Sequence, residues 1–250
     1  MRAACGTMNR PARASTTLAL GLFTAALAIL GESRGGAQVP SVPATGPIPL
    51  DPGTQWVYAG QVRWTDSTKV RSRSIRWTTE VVAASTGPGA RAAVIRGLPL
   101  DLTFYEPGQA PTYSVLLEVG DSLYRVPAAE VSEAMQLAEQ LSRKPETRPE
   151  SAELLLLQPL TVGRKWGQAA EDKERDEYCW VVVADSVQVL HVKGVSGGSR
   201  RHVFSITYRT LPDDQLVEIA PGVGITGFSY THHGTVAATR LHLVEFHPHR

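Results

Sequence analysis

The chain is poor in cysteine. Its 250 residues include two, Cys5 and Cys179. Charge of one sign is also lacking: 25 basic residues stand against 24 acidic ones, net +1. A balance this even gives no general electrostatic case for nucleic acid or an anionic membrane surface as partner. Chemistry-bearing motifs are sparse as well. No H-E-x-x-H spacing frames the histidines, and no G-x-S-x-G elbow surrounds a serine.

What is present begins at the N-terminus. "MRAACGTMNRPAR" carries Arg2, Arg10 and Arg13 and no acid. The apolar run "LALGLFTAALAIL" follows, and Gly35 and Ala37 then place small residues before Gln38. A basic start, an apolar stretch and a small-residue cleavage site predict a secretory signal peptide over residues 1–37. The run falls short of the roughly 20 residues that span a bilayer, so no stable membrane span is expected. No Cys follows it and no Arg-Arg pair precedes it, which argues against a lipid-anchored form and against export of a folded protein. The expected location is the periplasm or the extracellular space. Loss of residues 1–37 removes four basic residues and one acid, taking the charge to −2. Cys5 leaves too, so Cys179 stands alone and no intramolecular disulfide can form. The core alone must hold the fold, and residues 38–250 suffice for one domain.

Residues 38–52, "QVPSVPATGPIPLDP", read as a Pro-rich extended leader with little to bury. Residues 53–250 read as a single β-rich domain. "TQWVYAGQVRWT" and "VRSRSIRWTTEVVAA" have strand composition, "STGPG" turns the chain into "ARAAVIRG", and "LDLTFYEPG" reads as a short strand and a turn. "YSVLLEV" and "SLYRV" flank Gly120-Asp121, a pair suited to a tight hairpin turn. One amphipathic helix is expected near 128–143. Val131, Ala134, Met135, Ala138 and Leu141 fall at helical spacing, Pro127 suits the first turn, and Pro145 ends the pattern. "SAELLLLQPL" fits a short helix or a buried strand. Beyond it "EYCWVVVAD", "SVQVLHVKGV", "RHVFSITYRT", "QLVEIAPG", "GITGFSYTHH" and "TVAATRLHLVEF" read as six strands, with Asp185-Ser186 between the first two. Short links imply antiparallel neighbours. The expected fold is mainly β: a curved antiparallel sheet, as a half-barrel or two packed sheets, with one covering helix.

Each candidate site has a structural reading beside the chemical one. "GVGITG" (222–227) matches G-x-G-x-x-G, but a strand-like segment follows it where a dinucleotide fold needs a helix. It reads instead as a turn made by Pro221, Gly222 and Gly224. His232, His233, His242, His247 and His249 crowd the C-terminus, yet adjacent His232 and His233 point to opposite faces of a strand. Cys179 in "YCWVVV" reads as a buried, inert thiol. "RWTDSTKVRSRSIRW" (63–77) interleaves arginine with tryptophan, a pattern that can grip single-stranded nucleic acid but that also decorates a hairpin edge. No catalytic, cofactor-binding or metal-ligating residue is assigned, and no cofactor is implied.

Pro-Leu-x-x-Gly-x-x-Trp occurs twice, as Leu50, Gly53, Trp56 and as Leu160, Gly163, Trp166. In each copy Leu is expected to anchor the incoming chain, Gly to turn it, and Trp to seal the sheet. The first copy continues to Tyr58; Gln168 stands at the equivalent place in the second. With "APGVG" at 220–224, this Leu-x-x-Gly-x-x-Trp-x-Tyr opening resembles a group of exported bacterial β-rich proteins. The resemblance implies a secreted β-domain and carries over no catalytic residue. A more distant architectural analogy is the half-barrel of periplasmic lipoprotein carriers.

The expected function is therefore an exported, non-enzymatic binding or interaction module. Its partner would be a hydrophobic or acylated small molecule in the concave face of the sheet, or another envelope protein. Two alternatives stand beside it. One is a hydrolase whose carboxylates and histidines meet only on folding, drawn from Asp101, Glu106, Glu218, His191, His202 and His242. The other is a structural component of the cell envelope.

Overall fold

The computed structural model describes residues 46–172, 175–195, 200–234 and 236–249. The chain divides into two units, Met1–Pro40 and Ser41–Arg250. The first unit, with the signal peptide and cleavage site read from the sequence, lies outside the described residues.

In the second unit the described strands form two six-strand meanders. The first holds β1 (Gln55–Asp66), β2 (Lys69–Gly87), β3 (Ala90–Arg96), β4 (Tyr113–Val119), β5 (Ser122–Ala128) and β6 (Glu153–Leu157). The second holds β7 (Lys165–Trp166), β8 (Trp180–Val189), β9 (Arg200–Arg209), β10 (Asp213–Ala220), β11 (Gly224–His232) and β12 (Ala237–His247). They join through β1 and β12 into one antiparallel sheet with the order β6-β5-β4-β3-β2-β1-β12-β11-β10-β9-β8-β7. The sheet curls until its far edges meet. There the Trp166 indole Nε1 donates to the Leu154 carbonyl at 3.1 Å, nearly closing a barrel.

Alternation sets the inner and outer faces of the sheet. Trp56, Tyr58 and Val62 of β1 point inward and are buried, while Gln61 and Arg63 point to solvent. The interior gathers Trp77, Ile95, Leu116, Leu156, Trp180, Ile206, Ile219, Phe228 and Leu243 into one apolar core. β3 and β4 are buried on both faces, which accounts for their uninterrupted apolar runs. Their outward residues Ala92, Val94, Val115 and Leu117 carry α1 (Val131–Arg143), which docks through Ala134, Ala138 and Leu141. This is the expected covering helix.

The structure corrects several local readings. α1 starts after Glu130, and Pro127 sits on β5, where it faces Ser114 in the ladder. Of the two forms open to "SAELLLLQPL", the strand is the one found, as β6 over Glu153–Leu157. "LDLTFYEPG" is no strand: Pro99–Leu102 make one 3-10 turn and the chain then loops. Asp185-Ser186 does not turn the chain, because β9 pairs with β8 along its whole length and a bulge at Val182/Ala184 takes up the irregularity. The leader also buries more than its composition suggests. Ile48 is 6 % exposed and Leu50 2 %.

The two Pro-Leu-x-x-Gly-x-x-Trp copies make the same turn at their glycines, although the bond into Pro159 is cis and no cis bond precedes Pro49. Gly53 and Gly163 both have φ +87°. The Gly53 amide donates to Val81 and the Gly163 amide to Val182, each at 2.8 Å; Val81 returns a bond to Thr54 and Val182 to Arg164. In each half the receiving strand bulges immediately afterwards, at Val81/Ala83 and at Val182/Ala184. Trp56 and Trp166 are each 2 % exposed. Leu50 is buried, and Leu160 packs on the core less completely. The second copy then diverges. Gly167, at φ +109°, ends β7 after Trp166, so Gln168 is exposed where Tyr58 is buried.

Candidate functional site

The concave face is the natural place to look for a ligand, and the chain itself fills much of it. Pro47–Leu50 runs into the barrel, held where the Gly222 amide donates to the Pro47 carbonyl at 3.3 Å. The Ile48 side chain separates two small apolar cavities. One lies among Trp56, Tyr58, Ile95 and Leu116, the other among Leu156, Trp180, Ile206 and Ile219, and each holds about 10 Å³. Either is the size of a single water and far below the space a drug-sized ligand needs.

The turn after β10 locks this arrangement. Trp56 Nε1 donates to the Val223 carbonyl at 2.5 Å and the Tyr58 hydroxyl to the Ile225 carbonyl at 2.9 Å. Pro221 and Gly222 form the turn, and Gly224 enters β11 at φ +100° with Trp56 Nε1 3.1 Å from where a Cβ would stand. The Leu-x-x-Gly-x-x-Trp-x-Tyr opening and the APGVG segment therefore touch each other directly, 167 residues apart in sequence.

A larger opening lies at the end of the barrel, outside the core. Trp64 and Asp66, the β1–β2 turn, Arg71, Phe104, Tyr105, Glu106 and Val236 surround a groove of about 790 Å³. The loop between β3 and β4 forms one wall and is firmly pinned. Asp101 pairs with Arg125 at 2.7 Å, Gln109 donates to the Asp101 carbonyl at 2.7 Å, and Thr239 donates to the Leu102 carbonyl at 2.6 Å. Burial pushes the Asp101 carboxyl above its ordinary pKa, against the lowering pull of Thr112 and Arg125. Tyr105 meets Trp64 edge-on with ring centroids 5.4 Å apart. Phe104 is 55 % exposed and rests edge-on against Tyr230 and His232.

Behind Phe104 lies a polar network that sequence reasoning missed. Asp213 Oδ1 accepts from the Tyr230 hydroxyl at 2.6 Å and lies 2.7 Å from His232 Nδ1, while Thr210 donates to Oδ2 at 3.1 Å. Burial alone would raise the Asp213 pKa, but the bonds from Tyr230, His232 and Thr210 hold it below the ordinary value. Burial first, then the bond to Asp213 and its charge, push the Tyr230 phenol upward. These bonds tie β10 to β11 behind Phe104 and brace the groove wall. The register Asp213↔His232 was the available signal, and it needed the strand pairing to be known.

The six residues weighed for a hydrolase do not share a pocket. Asp101 is tied to Arg125, and Glu106 lies in the end groove. His202 pairs with Asp185 at 2.9 Å on β9 and β8, His191 is exposed beyond β8, and His242 sits on the outer face of β12. Glu218 lies two strands from His242 across Gly227. His233 bonds Asp214, away from the bond of His232 to Asp213. Cys179 is buried, and its burial, opposed by Lys165, raises the thiol pKa; such a thiol is a poor nucleophile. Among the described residues, no three His, Cys, Asp or Glu side chains gather as metal ligands. No described helix is long and apolar enough to cross a membrane.

No family model matches the chain, and no curated protein matches it. Two solved structures are similar to it. One is described as a "putative lipoprotein" from Parabacteroides distasonis, with TM-score 0.41 and 11% identity over 81% of this chain and 99% of that one. The other is a "putative exported protein with YmcC-like fold" from Bacteroides fragilis, with TM-score 0.37 and 11% identity over 80% of this chain and 98% of that one. A likeness this distant gives the chain neither a family nor an activity.

Proposed function

We propose that the protein is an exported, non-enzymatic binding module whose ligand sits in the end groove and not in the concave interior. The basic start, apolar run and small-residue site of residues 1–37 support export. The observation that carries the site is the position of Ile48. With it in place, the interior cavities hold about 10 Å³ each, and an acyl chain would have to displace part of the protein's own core. The groove, by contrast, joins three aromatic rings to Asp66, Arg71, Glu106 and the hydroxyls of Ser67 and Ser72. Rings cover an apolar face while charged and hydroxyl groups satisfy a polar rim. A sugar ring has both features. Calorimetric titration with neutral oligosaccharides and with acylated lipids tests this reading. Oligosaccharide binding that weakens at least ten-fold in Phe104→Ala supports it. Lipid binding unchanged by Phe104→Ala refutes it.

A second reading rests on β8. β7 pairs with it at Trp180 and Val181 only, and Val183, Val187 and Val189 are 45 %, 48 % and 40 % exposed. An open edge with apolar side chains suits a protein partner that adds a strand, as an envelope component would.

A further inference from the structure

The outer face of the barrel carries a group of cations that the binding module proposed above does not use. Strand register builds it from residues distant in sequence. Arg240 of β12 lies opposite Gln61 of β1 on one side and Ser229 of β11 on the other. Gln61 in turn faces Ser74 of β2. In the next row Arg63 faces Ser72 and Ala238, and Ala238 faces Thr231. Arg63 is thus the diagonal neighbour of Arg240, within reach of the same small group. His242 follows Arg240 on the same face of β12, two residues along.

The floor is low where its positions are small: Ala59 lies opposite His242 and Ala238 opposite Arg63. Around them the surface sinks into a hollow of about 580 Å³ lined by Arg63, Arg240, His242 and the hydroxyls of Ser74, Ser229 and Thr231. Arg63, Arg240 and His242 are exposed.

The hollow brings two arginines together without a carboxylate between them. Several arginines elsewhere are paired: Arg76 with Glu245, Arg91 with Asp51, Arg125 with Asp101, Arg143 with Glu139 and Arg209 with Asp214. Among the described residues no carboxylate lines the hollow. The acids at its margin are Asp214, already engaged by Arg209 and His233, and Glu218, whose carboxylate lies over Gly227, the residue opposite His242. Two guanidiniums without a carboxylate partner among the described residues, with hydroxyl donors around them, form a donor set matched to a tetrahedral oxyanion.

We propose that Arg63, Arg240 and His242 bind a phosphoryl or sulfuryl group of an extracellular ligand on the outer face of the barrel. The site stands on β1, β11 and β12 and does not depend on what fills the end groove. Two guanidiniums fork onto the oxyanion oxygens, and the Ser and Thr hydroxyls donate to those that remain.

The test is an amide-resolved NMR titration with inorganic phosphate and with sulfate, run on the wild type, on Arg63→Gln/Arg240→Gln and on the control Arg96→Gln. A parallel co-sedimentation uses vesicles of phosphatidylglycerol and of phosphatidylcholine. Saturable shifts at Ser74, Ser229, Thr231 and Arg240, weakened at least ten-fold in the double variant and unchanged in the control, are expected. Binding to phosphatidylglycerol but not phosphatidylcholine vesicles, lost in the double variant, identifies a lipid headgroup as the source. Phosphate binding without vesicle binding identifies a soluble one. No saturable shift together with no vesicle binding, or equal affinity in the wild type and the double variant, overturns the proposal.

Discussion

Trp56 and Trp166 hold the two halves of the barrel together in opposite directions. Trp56, in the first meander, donates its indole hydrogen to Val223 in the second; Trp166, in the second, donates to Leu154 in the first. Each follows a glycine with φ +87°. The repeated motif thus places one large, hydrogen-bonded side chain at each junction.

Replacing Trp56 by Ala removes one of the two anchors. The loss of a buried indole is expected to cost about 3–5 kcal/mol. Trp56→Phe keeps most of the apolar surface but leaves the Val223 carbonyl without its donor, and is expected to cost about 1–3 kcal/mol. Urea unfolding of both variants checks the order.

Gly224 separates backbone strain from crowding. An alanine there meets an unfavourable φ and also the Trp56 ring, whereas Gly108, at φ +86°, has open space where its Cβ would stand. Gly108→Ala is expected to cost about 1 kcal/mol and Gly224→Ala clearly more, read from the same unfolding curves.

Ile48 fills the space between the two interior cavities. Ile48→Ala should destabilise by about 2–4 kcal/mol, since the cavities merge and the site cannot fully collapse. It should also create binding of a fluorescent acyl probe that the wild type lacks. Probe binding of equal strength in the wild type would show that the interior is already open.

Acid stability should follow Asp213. Its folded pKa lies below the ordinary 3.8, so its contribution is complete above that value and is lost as pH falls through the folded pKa. The urea midpoint of the wild type should fall below pH 4. Asp213→Asn should flatten that fall and lower the midpoint at pH 7, where Tyr230 and His232 lose their charged partner.

Arg125 offers a complementary test. Its removal strands the Asp101 carboxylate, whose side chain is 2 % exposed. Arg125→Met is expected to cost about 3 kcal/mol. Asp101→Asn should cost less, because burial already disfavours the charge there.

Local pattern made the strands and the helix legible. The β4–β5 hairpin follows from two apolar runs around Gly120-Asp121, and α1 from the spacing of Ala134, Ala138 and Leu141. The failures have one physical root, since each was decided by residues far away. "LDLTFYEPG" has strand composition, yet its conformation is fixed by Arg125 and Thr239. Ile48 reads as part of a Pro-rich extended leader, yet the Gly222 turn holds Pro47 in the barrel. The end groove draws on residues 64–72, 104–107 and 236–237, and the outer hollow on β1, β2, β11 and β12. Arg63 was visible in an arginine-rich run, but its neighbour Arg240 could be placed only by the β1–β12 register.

The central claim is that the ligand binds outside a barrel plugged by its own chain. An amide-resolved NMR titration with oligosaccharides and acylated lipids tests it most directly. Shifts confined to residues 64–72, 104–107 and 236–237 are the expected result. Shifts centred on Ile48, Leu156 and Ile219 would contradict it.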